Sequence, residues 1–222
     1  MFFKKKKKKN PYGESVKILA SEGYTDKYIE ALKADIEKAD PKDKPEGNAH
    51  LACTKLFRGE LTEAKQIFSE LDFMKLPDYL VQTMLANYIL SLFLLNNFRE
   101  LRETYVEYNR ALLSEPTLLM RRSLGIYEFT SGNYDAATTI FLKLEKDNAD
   151  DSRGTMMADV CLARTFMKLE MYEQAMKYSR NFGRYEDKDE LGKQVKKLSK
   201  QIFEKLTPEQ RVEMVKTKVK NG

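Results

Sequence analysis

The chain has 222 residues, 42% of them hydrophobic, so it can bury a core and is not disordered throughout. Only 10 Gly and 6 Pro interrupt it, while Lys, Glu, Leu and Ala abound, a balance that favours helices over sandwiches or barrels. The formal charge is +5, but Lys4 to Lys9 supply six of the 39 basic residues and leave 33 against 34 acidic ones, which argues against nucleic-acid binding over the whole surface.

In chain order, residues 1–12 read as a basic disordered tail and 13–222 as one helical repeat domain. The tail places Phe2 and Phe3 before Lys4, Lys5, Lys6, Lys7, Lys8 and Lys9. Two rings suited to a bilayer interface are thus joined to lysines worth roughly 1 kcal/mol each near an anionic leaflet. The same charges suit RNA or a ribosomal surface, and a like-charge run is also commonly just a solvated segment. After Lys9, Asn-Pro-Tyr-Gly-Glu-Ser is not the apolar run of a signal peptide. The longest apolar stretch, Tyr88 to Leu95, is far short of the roughly 20 residues that span a bilayer. Two well-separated cysteines, Cys53 and Cys161, do not make a secreted disulfide scaffold, so a reducing compartment is expected. The expected location is cytoplasmic, with the tail a candidate link to the inner face of a membrane.

Beyond the tail, one turn phrase recurs: Gly59-Glu-Leu-Thr-Glu-Ala64, Asn96-Asn-Phe-Arg-Glu-Leu101, Gly132-Asn-Tyr-Asp-Ala-Ala137 and Glu170-Met-Tyr-Glu-Gln-Ala175, spaced 37, 36 and 38 residues apart. Each opens a helix whose next inward positions are Phe68 and Leu71, Tyr105 and Tyr108, Phe141 and Leu144, then Ser179 and Phe182, which share one helical face. Ahead of each turn stands a second helical pattern carrying Leu51-Ala52, Tyr88-Ile89, Leu124-Gly125 and Leu162-Ala163; in three of the four a small second residue lets two helices approach closely. The unit is a helix, a tight turn and a helix. Helix 81–95 is apolar nearly all round in its second half, as for a helix covered on several sides. The period extends outward to Gly23-Tyr-Thr and to Leu206-Thr-Pro, so about six hairpins are expected. In the last, Thr207-Pro208-Glu209-Gln210 supplies an N-cap, a first-turn proline and a capping-box partner. The polar stretch Lys193 to Lys205 suits an end cap that solvates the stack.

Leu124-Gly125, Gly132-x-Tyr134, Ala137 and Phe141 make this pattern similar to that of the tetratricopeptide repeat family. The resemblance covers the four central units and implies an all-α, TPR-like α-solenoid of about six antiparallel hairpins. Ile89 and Leu101 depart from it, replacing two facing small residues and implying wider helix spacing there. Asn48, Leu85, Arg121 and Asp159 stand where the family has an aromatic, and its terminal proline is displaced to Pro77 and Pro116.

The resemblance further implies a protein-interaction scaffold whose first helices line a concave groove. Its contact positions fall on Asn87, Leu90 and Phe93, on Arg122, Ile126 and Phe129, and on Arg164, beside Ala49, Cys53, Leu56, Ala86, Val160 and Met167. The expected partner is a peptide or helix. The alternative is a nucleic-acid or ribosome-associated factor, or a membrane-surface protein, acting through the tail.

Catalysis is not expected. The chain has one histidine, His50, and no nucleophile-elbow, phosphate-loop, dinucleotide or zinc-protease pattern. His50 and Cys53 could share a helix face, but a zinc site needs about four ligands. The acidic runs 147–151 and 186–190 lack calcium-loop spacing. No cofactor, metal or small-molecule substrate is expected.

Overall fold

The computed structural model describes residues 11–113, 117–147, 152–180, 182 and 189–212. Eleven α-helices occur there: α1 (Gly13–Glu22), α2 (Asp26–Lys38), α3 (Lys44–Phe57), α4 (Leu61–Ser69), α5 (Asp78–Leu94), α6 (Phe98–Leu113), α7 (Leu118–Thr130), α8 (Tyr134–Asp147), α9 (Ser152–Lys168), α10 (Tyr172–Ser179) and α11 (Glu190–Lys205). A short 3-10 turn, Phe73–Lys75, precedes α5. Consecutive helices pack in pairs, α1 with α2 through α9 with α10, and each pair packs on the next. The described residues form an all-α stack of helical hairpins, an α-solenoid. Residues 208–212 begin a further helix after α11, and the tail residues Phe2, Phe3 and Lys4 to Lys9 lie outside the described residues.

The turn phrase has one backbone geometry. Gly59, Asn96, Gly132 and Glu170, the first residue of each phrase, have φ of +76°, +60°, +85° and +59°. At each, the left-handed residue's N–H returns to the carbonyl three residues back, and the next N–H to the carbonyl five back, as with Gly59 to Leu56 (3.0 Å) and Glu60 to Lys55 (2.9 Å). This Schellman closure satisfies carbonyls that the helix end would leave unbonded. After α11, Gln210 N–H bonds Thr207 Oγ1 (3.3 Å) and Thr207 N–H bonds Gln210 Oε1 (2.9 Å), both arms of the expected capping box.

Close approach is built at the small positions. Ala52, Ala64, Ala137, Ala163 and Ala175 have no exposed surface. A Cβ on Gly125 would stand 2.6 Å from the Phe141 ring, so α7 lies directly on α8. Ile89 and Leu101 are fully buried as well; the third hairpin, α5 with α6, takes both enlargements without opening a path to solvent. Residues 84–94 are all buried, which makes α5 the central helix and accounts for its all-round apolar surface.

One continuous core runs from Ala49 to Leu206, and a smaller cluster of Tyr12, Ile18, Tyr28, Ile29, Leu32 and Leu51 holds the first hairpin. The stretch expected to be a polar end cap is amphipathic: Leu191, Val195, Leu198 and Ile202 of α11 are buried. The start of α11 also returns to the second hairpin. Leu191 N–H bonds Gly59 O (3.2 Å), and Thr62 N–H bonds the Glu190 carboxylate (2.6 Å), 128 residues away.

Candidate functional site

The inner face of the stack is folded in on itself. Asn87, Leu90, Phe93, Ile126 and Phe129 are 3%, 2%, 0%, 0% and 4% exposed, which corrects the expectation that these side chains meet a partner in a groove. Part of this cover comes from α9, which reaches the end of α5 through Arg164. Arg164 Nη1 donates to Phe93 O (2.7 Å) and Nη2 to Leu94 O (3.3 Å), and its guanidinium lies 4.7 Å from the Phe93 ring centre. The Phe93 and Phe129 rings meet edge to face at 5.2 Å, with Phe98 and Tyr134 completing the cluster.

Arg122 is drawn inward too. Nη2 donates to Asn87 Oδ1 (3.0 Å) and Ala86 O (3.4 Å), while Asn87 Nδ2 donates to Cys53 Sγ (3.3 Å). The buried Arg122 Nε has no acceptor. No carboxylate among the described residues pairs with Arg122 or Arg164, and burial lowers the pKa of both. A buried cation held only by carbonyls, an amide and a ring is costly unless its geometry does structural work. Arg164 does such work, because a cation bonded to the last carbonyls of α5 complements the negative end of that helix.

Among the described residues no group of three or more His, Cys, Asp or Glu could hold a metal. His50 lies 3.9 Å from Glu46, and burial lowers its pKa. Burial pushes the Cys53 thiol up to about 11 and Cys161 to about 12, far from the thiolate form a nucleophile needs.

A cleft of about 720 Å³ lies open between α11, the α5–α6 turn, α7 and α9. Phe98, Phe129, Met167 and Leu198 supply its apolar lining; Arg164, Lys168, Lys197, Lys205, Asn96, Gln194, Gln201 and Glu204 supply the polar part. Arg164 also bonds Gln194 Oε1 (3.3 Å), which ties the α11 wall to α9. Of the thirteen groove positions expected from sequence, Phe129, Arg164 and Met167 line this cleft; the others, Asn87, Leu90, Phe93, Arg122 and Ile126 among them, do not. The α11 residues were missed, although their signal is legible: Gln194, Lys197, Leu198, Gln201 and Lys205 recur at i, i+3, i+4, i+7 and i+11, one face of a helix.

No family model and no curated protein matches the chain. Among solved structures, the chain is similar to the crystal structure of a tetratricopeptide repeat protein from Parabacteroides merdae. The alignment has 18% identity and a TM-score of 0.38, and it covers 93% of this chain and 98% of that one. No helix among the described residues is long and apolar enough to cross a membrane.

Proposed function

We propose that the chain is a non-catalytic protein-interaction scaffold that holds a peptide or helix in the cleft beside α11. The observation that carries this reading is the origin of the cleft walls. Asn96 and Phe98 come from the third hairpin, Phe129 from the fourth, Arg164 and Met167 from the fifth, and Gln194 to Lys205 from α11. The site is assembled from three hairpins and α11, and it joins an apolar floor to convergent polar groups, the usual make-up of a binding pocket. The inner helices serve as its support, since their side chains are spent in the core.

A photo-reactive phenylalanine analogue at Gln201, on the cleft wall, is expected to crosslink a protein from native lysate. The same analogue at Arg99, an exposed position outside the cleft, is expected to give no such product. Equal labelling from both positions, or none from Gln201, overturns the reading.

A further inference from the structure

We propose that the occupant of this cleft is an acidic peptide segment carrying one bulky apolar side chain. The inference rests on the scaffold reading above and adds the chemistry of the partner. Four cations, Arg164, Lys168, Lys197 and Lys205, converge there against a single acid, Glu204. Glu204 is already shared with Lys200 at 3.9 Å. No carboxylate among the described residues pairs with Lys168, Lys197 or Lys205. Several surface lysines and arginines elsewhere are matched, as in Lys65 with Glu100 (3.0 Å), Arg58 with Asp26 (2.6 Å) and Arg121 with Asp147 (3.0 Å). Three unmatched ammonium groups around one concavity, in a chain whose body is otherwise neutral, raise the local potential and draw anionic partners to that spot.

The interior of the cleft selects among anions. Asn96, Gln194 and Gln201 offer amide donors and acceptors suited to a peptide backbone. Met167 and Leu198 form an aliphatic surface, and the Phe129 ring is 4% exposed and packed edge to face on Phe93. Nucleobases bind by stacking on open aromatic faces, and this floor is better shaped for a Leu or Phe side chain. Arg164 already bonds Phe93 O, Leu94 O and Gln194. It therefore contributes field and wall, leaving the ligand carboxylates to Lys168, Lys197 and Lys205.

The test measures retention of a fluorescein-labelled peptide pool, random in Asp and Glu around one fixed Phe, on the immobilised full chain at moderate salt. A matched Asn/Gln pool and a single-stranded RNA are the comparison probes. The acidic pool is expected to bind, and Lys168→Glu with Lys197→Glu should weaken it by about tenfold or more. Lys33→Glu, an exposed charge reversal on α2 outside the cleft, should leave binding unchanged; circular dichroism confirms that each variant is folded. Equal binding of the Asn/Gln pool overturns the acidic preference and leaves the scaffold reading standing. Retention of RNA in place of peptide overturns this inference, and failure of both peptide pools overturns it together with the scaffold reading.

Discussion

Glu170 holds a φ of +59°, a conformation that Gly adopts freely and that crowds the Cβ of other residues. It is exposed, so the strain is separable from packing. Glu170→Gly should raise the urea midpoint by the equivalent of about 0.5–1 kcal/mol, the relief of strain exceeding the added chain entropy of Gly. The thiols make a second residue-scale case. Burial raises Cys53 to about 11, Cys161 to about 12 and Tyr12 to about 12. Their folded pKa values exceed the unfolded ones of 9.0 and 10.0. The associated stability is therefore complete below pH 9 and is lost as pH rises through about 11 to 12. Denaturant midpoints should fall steadily above pH 9, and a disulfide reagent should modify the thiols at pH 8 only as fast as the fold opens. Rapid modification of the native chain would contradict this burial.

Helix contacts carry the next level. The Gly125 approach leaves no room for a methyl group against the fully buried Phe141 ring, so Gly125→Ala should cost about 1–3 kcal/mol through overpacking. The two inner arginines should part company when made apolar. Arg164→Met strips the bonds to the Phe93 and Leu94 carbonyls and should cost about 2 kcal/mol or more, because buried acceptors lose charged donors. Arg122 has an orphaned Nε that offsets part of what its bonds to Asn87 Oδ1 and Ala86 O contribute, so Arg122→Met should cost less, about 1 kcal/mol. Paired chemical denaturation curves decide between these outcomes. Equal losses would mean that Arg122 has a structural role that its bonding does not reveal.

Across the whole molecule the stack is stabilised unevenly. The first hairpin has its own small cluster and is joined to α3 through Tyr12, whose hydroxyl donates to Asp43 O and accepts from Gly47 N–H (3.0 Å). The larger core unites everything from α3 to α11. In a solenoid each unit is held by its neighbours alone, so an end unit lacks half of its support. Amide hydrogen exchange should therefore be faster in α1 and α2 than in α5, which is buried by neighbours on every side. At the other end, contact of α11 with Gly59 and Thr62 adds a tie that an open stack lacks.

The local elements were legible in the chain because each has a local cause. The turn phrase encodes a left-handed residue, the pairs around Ala52, Gly125 and Ala163 encode close helix approach, and Thr207 to Gln210 encode a cap; all three depend on residues within a few positions of one another. By itself the sequence determined an all-α stack of hairpins with its turns correctly placed. What covers each inner face is different, because it depends on distant pairs such as Arg164 with Phe93, 71 residues apart. Only the tertiary structure decided that Leu90, Phe93 and Ile126 belong to the core and not to a groove. It also decided that the lysines of α11 border the open cleft. A periodic pattern states which helix face is apolar, and the packed stack alone states what covers it.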